Sequence, residues 1–421
     1  MAGSRLLRQP DGHPMKHILY LCHRIPFPPN KGDKIRSFNI LRHLSQKYTV
    51  SLGFLVDSEK DIQYVSSLKD FANIVICESI CNKYRKLISL INAFIKSKPI
   101  SIPFFYSTGM QDKLDKLIES DSIDIVICSS SPSAEYMFQS KYFDDKLKRS
   151  KLVMDLIDMD SQKWKEYAKK QRFPFSFIYN RESNYLLEYE KLIEKQFDKL
   201  LVVSDAEKYL FNKYIPTKKM CSVSNGVDLE FFNPRHDSAV NLNHPALVFT
   251  GAMDYWPNIH GAMWFVQKVL PLIRTSIPEV NLYLVGSNPS RQLKQLEKQQ
   301  GVTVTGFVDD VRDYIAGADI CVIPLHIARG IQNKVLEAMA MGKAVVSTPE
   351  ATEGLNIDYE NDLCVRKDER SFARSVIALL QDKQTSSNLA RNARSAMERN
   401  YSWEHNLSLL DELLAQGEQS R

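Results

Sequence analysis

The sequence predicts an α/β protein built from two doubly wound parallel sheets, and three observations carry that expectation. Short apolar runs rich in β-branched residues alternate with longer segments of helical spacing. The runs are apolar on both faces, as strands must be when helices cover a parallel sheet on each side. The alternation breaks once and restarts within 421 residues, a length that suits two domains.

In the first half, strands are expected at 17–21, 50–56, 73–77, 123–128, 151–155 and 199–203, with helical spacing over 33–46 and 180–197. Residues 233–245 are rich in Pro, Asn and His and lack periodicity, so they read as the linker. Strands follow at 246–250, 280–285, 302–305, 319–323 and 343–347, and an amphipathic run covers 403–414. The expected division is an N-terminal domain over 15–235, a C-terminal domain over 236–400 and a final helix over 401–421. Residues 1–14 are polar, precede a second methionine at Met15, and are expected to be a leader or alternative start outside the fold.

Composition narrows the function. The 55 basic against 50 acidic residues leave a net charge of +5, too thin an excess for nucleic acid as the main partner. Seven cysteines, an odd number set mostly in apolar runs, read as buried thiols of a reducing compartment. No apolar stretch has the length of a membrane span, and no Cys or His spacing suggests a metal. In open α/β sheets ligands bind at the carboxyl ends of the strands, and helix N-termini favour phosphate. Two such domains facing across a cleft therefore imply a phosphorylated ligand.

The most informative stretch is 328–347. A loop with Gly330 follows a strand, a helix opens near Gln332, and Gly342 is placed to end it in the left-handed conformation. Glu337 is the conspicuous carboxylate among the small and apolar neighbours Val335, Leu336, Ala338, Met339 and Ala340. Near the start, Lys31-Gly32-Asp33-Lys34-Ile35-Arg36 follows the first strand with one glycine only, which is not the fingerprint of a nicotinamide dehydrogenase. Asp158-Met159-Asp160 follows the fifth strand. It reads as a cleft carboxylate at Asp158, with Asp160-Ser161 capping the next helix.

The run Lys334-Val-Leu-Glu337-Ala-Met-Ala-Met-Gly342-Lys-Ala-Val-Val346 closely resembles the donor-site signature of GT-B glycosyltransferases of the retaining family 4 type. Ser224-Asn-Gly-Val-Asp228 with Phe232-Asn-Pro234 resembles that family's hinge motif. Three further stretches, 22–37, 155–164 and 250–258, resemble a bacterial subgroup of sugar transferases associated with exopolysaccharide (PEP-CTERM) systems. The resemblance spans roughly 15–410 and implies a metal-independent, retaining hexosyltransferase with no cofactor. Its co-substrate would be a nucleotide diphosphate sugar, and its acceptor a saccharide or polyprenyl-linked glycan at the inner face of the plasma membrane.

Carried onto these positions, the resemblance gives Glu337 the two ribose hydroxyls and turns the loop at Gly330 and Ile331 toward the donor. Asn333 and Lys334 neutralise the diphosphate. Lys31, Gly32, Lys34 and Arg36 face the donor phosphates from the first domain, and Gly251 and Asn258, with His260 nearby, follow the first strand of the second. Lys334, Glu337 and Asp158 are the expected catalytic residues, Asp158 facing the acceptor. Where the family has a second glutamate on the donor sugar, this chain has Arg329, and a guanidinium prefers a carboxylate or phosphate. Two other readings share the fold: a nucleotide-sugar 2-epimerase and a binding protein without catalysis. Residues 83–98 place Leu87, Ile88, Ile91, Phe94 and Ile95 on one helical stripe flanked by basic residues. That stripe either packs on its own sheet or meets anionic lipid as a peripheral membrane contact.

Overall fold

The structure, a computed structural model, describes residues 15–82, 84–95, 97–328 and 330–415. The expected leader, 1–14, lies outside the described residues. The chain forms two compact units, one taking it to Val223 and again from Leu409, the other covering Ser224–Ser408.

Unit 1 holds seven parallel strands: β1 (His17–Cys22), β2 (Thr49–Val56), β3 (Ile74–Ser79), β4 (Ile125–Ser129), β5 (Lys151–Ile157), β6 (Lys199–Val202) and β7 (Met220–Ser222). Their order is β3-β2-β1-β4-β5-β6-β7, a doubly wound sheet in which the order reverses beside β1. Helices α1 (Gly32–Ser45), α2 (Arg85–Ile95), α3 (Thr108–Ser120), α4 (Asp160–Lys170), α5 (Phe175–Gln196) and α6 (Asp205–Tyr214) accompany it. The central strands are buried on both sides, with Ile18, Leu19, Tyr20, Val50, Leu52 and Val126 wholly inside. β7 is an edge strand of three residues, too short to leave a pattern in the sequence.

The core of unit 1 contains a charge pair. Arg36 on α1 meets Asp155 on β5 through Nε to Oδ2 (2.8 Å) and Nη2 to Oδ1 (2.9 Å), and Nη1 donates to the Val223 carbonyl at 2.8 Å. Both side chains have no solvent exposure. Lys34, two residues earlier in α1 and also buried, donates to Asp61 Oδ2 at 2.7 Å. This corrects the expectation that Lys34 and Arg36 face donor phosphates. Each ammonium or guanidinium turned inward would cost several kcal/mol unpaired, so each is held by a carboxylate.

Unit 2 repeats the grammar with β8 (Ala246–Thr250), β9 (Asn281–Val285), β10 (Val302–Gly306), β11 (Ile320–Ile323), β12 (Ala344–Ser347) and β13 (Cys364–Val365), in the order β10-β9-β8-β11-β12-β13. Its helices include α7 (Trp256–Trp264), α8 (Val311–Gly317), α9 (Asn333–Ala340), α10 (Glu369–Gln381) and α11 (Lys383–Asn400). The last helix, α12 (Trp403–Ala415), begins in unit 2 and ends in unit 1. Residues 233–245, expected as the linker, are tied into unit 2. Asp313 pairs with His236 at 2.8 Å, Tyr283 accepts from the Asn243 N–H at 2.8 Å, and His244 meets Asp319 at 2.7 Å. Polar residues without periodicity can be fastened by side chains alone, which composition does not disclose. Among the described residues no helix is long and apolar enough to cross a membrane.

Candidate functional site

In unit 2 the signature residues meet at the carboxyl ends of β8 and β9. Gly251 and Gly286, directly after these strands, both have φ +152°, and a Cβ on Gly286 would stand 1.7 Å from the Gly251 carbonyl oxygen. No side chain fits there, so the two loops close on each other through backbone. A Cβ on Gly251 would lie 2.8 Å from both Asn258 Nδ2 and Lys334 Nζ. The missing side chain is what lets those two groups meet.

Lys334 Nζ donates to Asn258 Oδ1 at 2.6 Å and stands 4.8 Å from the centroid of the Phe249 ring. Asn258 is oriented by its own Nδ2, which donates to the Ala252 carbonyl at 2.8 Å. Lys334 and Glu337 share a face of α9 three residues apart. Burial pulls the Lys334 ammonium down to about 7, with Glu337 opposing, and pushes the Glu337 carboxyl up to about 7, with Lys334 opposing. Burial thus favours the neutral form of each group while the charge of the other opposes it, a balance that a ligand bearing phosphate and hydroxyls would shift.

The loop ahead of α9 turns at Gly330 (φ +62°), Ile331 is buried, and α9 opens without a capping side chain at Gln332. Arg329 lies outside the described residues. Asn333 Oδ1 accepts from Asn225 Nδ2 at 3.3 Å, and the Asn225 carbonyl in turn accepts from Asn406 at 3.0 Å. The hinge-like Ser224-Asn-Gly-Val segment is therefore part of this site's support. At the far end of α9, Gly342 takes the left-handed conformation expected of it (φ +63°). Arg394 Nη1 donates to the carbonyls of Ala340 (2.7 Å) and Phe232 (2.9 Å), anchoring the C-terminus of α9. Nothing in the sequence marked Arg394, which lies in an ordinary amphipathic helix. His260 sits with His326 and Trp264 in a ring cluster, the latter two 4.4 Å apart.

Unit 1 gathers a second polar group at the carboxyl ends of its strands. Lys31 and Gly32 open α1 in an exposed position. His23 Nε2 and Arg24 Nε reach Asp33 Oδ2 at 3.1 and 3.2 Å. The His23 hydrogen bond and the Arg24 charge hold Asp33 well below the usual carboxylate range against its burial. Asp158 has Oδ2 3.8 Å from Lys163 and a buried Oδ1 with no hydrogen bond. Asp160 accepts from Ser131 at 3.3 Å, and burial raises its pKa, with Lys163 opposing and Asp158 adding.

The 157–161 segment is held from outside. Ile157 has φ +70°, a costly conformation for a β-branched residue. Glu207 on α6 accepts from the Met159 N–H at 3.0 Å, and Glu190 on α5 accepts from the Ser161 N–H (3.0 Å) and hydroxyl (2.6 Å). This corrects the expected cap: Met159 is the N-cap of α4, and distant glutamates, not Asp160 and Ser161, serve its first amides. Among the described residues no group of three His, Cys, Asp or Glu is placed to hold a metal ion.

Comparison with known proteins fits this geometry. Residues 244–382 match the family model described as Glycosyl transferases group 1. An uncharacterised 44.6 kDa protein of the cps region of Klebsiella pneumoniae is 22% identical over 410 residues, covering 92% of this chain and 97% of that protein. The N,N'-diacetylbacillosaminyl-diphospho-undecaprenol alpha-1,3-N-acetylgalactosaminyltransferase of Campylobacter jejuni is 25% identical over 205 residues, 45% of this chain and 52% of that one. In solved structures, sucrose-phosphate synthase of Thermosynechococcus elongatus aligns at TM-score 0.70 and 16% identity over 95% of this chain and 98% of its own. Anabaena HepE, solved with UDP and glucose, aligns at 0.69 and 13% over 96% and 100%. The chain therefore has the GT-B fold, and its residues 244–382 resemble the group 1 glycosyltransferases.

Proposed function

We propose that the protein is a retaining sugar transferase of the family 4 type. It moves a hexosyl unit from a nucleotide diphosphate sugar to a polyprenyl-linked saccharide, in bacterial capsule or exopolysaccharide synthesis. The observation that carries this reading is the Lys334–Asn258 contact over Gly251 with Glu337 one turn along α9. Glu337 as a carboxylate accepts the two ribose hydroxyls, a bidentate contact that an acceptor-only group suits. Lys334 exchanges Asn258 for the diphosphate, and the amides opening α9 add their partial positive charge. The Campylobacter relative's diphospho-undecaprenol acceptor and the Klebsiella relative's cps location support the acceptor and pathway.

In the reaction the bond between the sugar's anomeric carbon and the diphosphate oxygen breaks while the acceptor oxygen bonds to that carbon. The acceptor proton leaves to the departing diphosphate, so no strong protein base is needed. Developing charge on the diphosphate is met by Lys334 and by the amides that open α9. Asp158, whose Oδ1 has no partner, receives and orients the acceptor hydroxyl. Arg329 selects a donor carrying an acidic group. Thermal unfolding with a panel of nucleoside diphosphates tests the site: a ligand at 100 times its dissociation constant should add about 2.7 kcal/mol. Transfer from the matching sugar nucleotide to a polyprenyl-linked acceptor then tests the reaction. Donor isomerised without acceptor would instead identify an epimerase.

A further inference from the structure

Helix α2 is amphipathic with its apolar face turned the wrong way for a soluble domain. Ser89 and Ala93 are the buried residues of its inner face, while Leu87, Ile88, Ile91 and Ile95 stand in solvent, Ile95 at 74% exposure. These four residues of the expected stripe face away from the sheet of their own unit, and the Phe94 side chain lies outside what the structure describes. A second apolar strip runs from the turn after α4 into the start of α5, where Phe173, Phe175 and Phe177 are exposed, Phe173 at 83%. Sequence patterning gave no hint of the second strip, whose alternation belongs to a turn entering a helix.

The two strips are joined. Arg181, one turn along α5 from Phe177, donates to the carbonyls of Ala93 (2.6 Å) and Lys98 (3.1 Å) at the end of α2. Glu182 accepts from the N–H groups of Ile100 (2.5 Å) and Ser101 (3.0 Å) just beyond. These hydrogen bonds fix the C-terminus of α2 against the start of α5. Contiguous exposed apolar groups on this scale mark an interaction surface.

The charge around it indicates the partner. Residues 84–98 and 167–181 contain no acidic residue. Arg85 and Lys98 are held by the Phe104 and Tyr106 carbonyls and by Glu135, and Lys83, Lys96 and the Lys86 side chain lie outside what the structure describes. Among the described residues the exposed cations here are Lys169, Lys170 and Arg172, directly before the phenylalanines. Aromatic and aliphatic groups beside cations, without acids, match the boundary of an anionic bilayer, where apolar side chains enter the acyl region and ammonium groups stay with the phosphates.

We propose that α2 and the Phe173–Phe177 turn together form a membrane-docking face for anionic lipid bilayers. The surface deepens the proposed use of a lipid-linked acceptor and rests on that reading for its purpose, although its lipid binding needs neither donor nor acceptor. The test is co-sedimentation of the full chain with vesicles of equal parts phosphatidylcholine and phosphatidylglycerol that hold no acceptor. The wild type should sediment with them and release as salt rises. Phe173→Ser/Phe175→Ser/Phe177→Ser and, separately, Ile91→Ser/Ile95→Ser should each lower the bound fraction about tenfold or more, because both strips enter the bilayer. Each variant should keep the wild-type melting temperature and its shift with nucleoside diphosphate, which separates lost docking from lost folding. Unchanged vesicle binding in both variants overturns the proposal. So does a wild type that ignores vesicles but self-associates through this face in sedimentation velocity. Binding without any sugar transfer would leave the surface standing and refute the transferase reading alone.

Discussion

Glu337 shows how burial sets a working range. Its carboxyl is raised to about 7, so the form that accepts ribose hydroxyls exists above that pH and is lost below it. Nucleoside diphosphate affinity should therefore pass through a maximum near pH 7, falling below it as Glu337 is protonated and above it as Lys334 loses its charge, and calorimetry on Glu337→Gln should find affinity weaker by about 1.5 to 3 kcal/mol, the range for a hydrogen bond to a charged group. A variant that binds as tightly as wild type would remove Glu337 from the site. Arg36 makes the opposite point. In the sequence it sits beside a glycine after the first strand and resembles a phosphate ligand, whereas in the fold it neutralises Asp155. Arg36→Ala should cost about 3 to 5 kcal/mol in denaturant unfolding, the penalty for leaving a buried charge alone. Loss of nucleotide binding with stability intact would restore the phosphate role. The sequence could not separate these cases, because Asp155 lies 119 residues away and neither pattern nor composition reports such a pairing.

At the scale of elements, periodicity reported what periodicity can. The central strands and α1, α5 and α9 stand close to where alternation and helical spacing put them, since burying one face demands that spacing. The two-residue β13 and the tied-down 233–245 stretch did not, because edge pairing and side-chain fastening obey no period. The support of α4 was equally hidden, resting on carboxylates from two later helices. Glu190 makes that support sensitive to pH. Burial raises its pKa to about 8, with the Ser161 hydrogen bonds opposing. A group raised in the folded state contributes stability that is complete below its ordinary range near 4.5 and is lost as pH rises toward 8. Unfolding free energy should thus decline across that window, and Glu190→Gln, which keeps the shape without the charge, should flatten the decline. An unaltered slope would move the cause elsewhere. At the end of β8, Gly251→Ala should weaken nucleotide binding, because its Cβ would crowd Lys334 and Asn258 in a backbone conformation that alanine resists. A ligand-induced melting shift equal to wild type would show that the crowding is absorbed.

For the whole molecule, the two routes to stabilising a leaving diphosphate, fixed cations or a divalent metal, give opposite results in one assay. Transfer should survive excess EDTA and collapse in Lys334→Ala. Loss with EDTA and recovery with Mn²⁺ would assign Asp158 and Asp160 to a metal. The path of the chain has a different consequence. Because unit 1 is completed only by the segment from Leu409, where Asp411 meets His43 (2.9 Å) and Lys47 (2.5 Å), everything it needs is not present until all of unit 2 has been made. Unit 2, encoded without interruption, can fold as it leaves the ribosome, while the earlier half waits with its apolar strands unsealed. The half translated first is then the one finished last, and the one that most needs shielding from aggregation during translation.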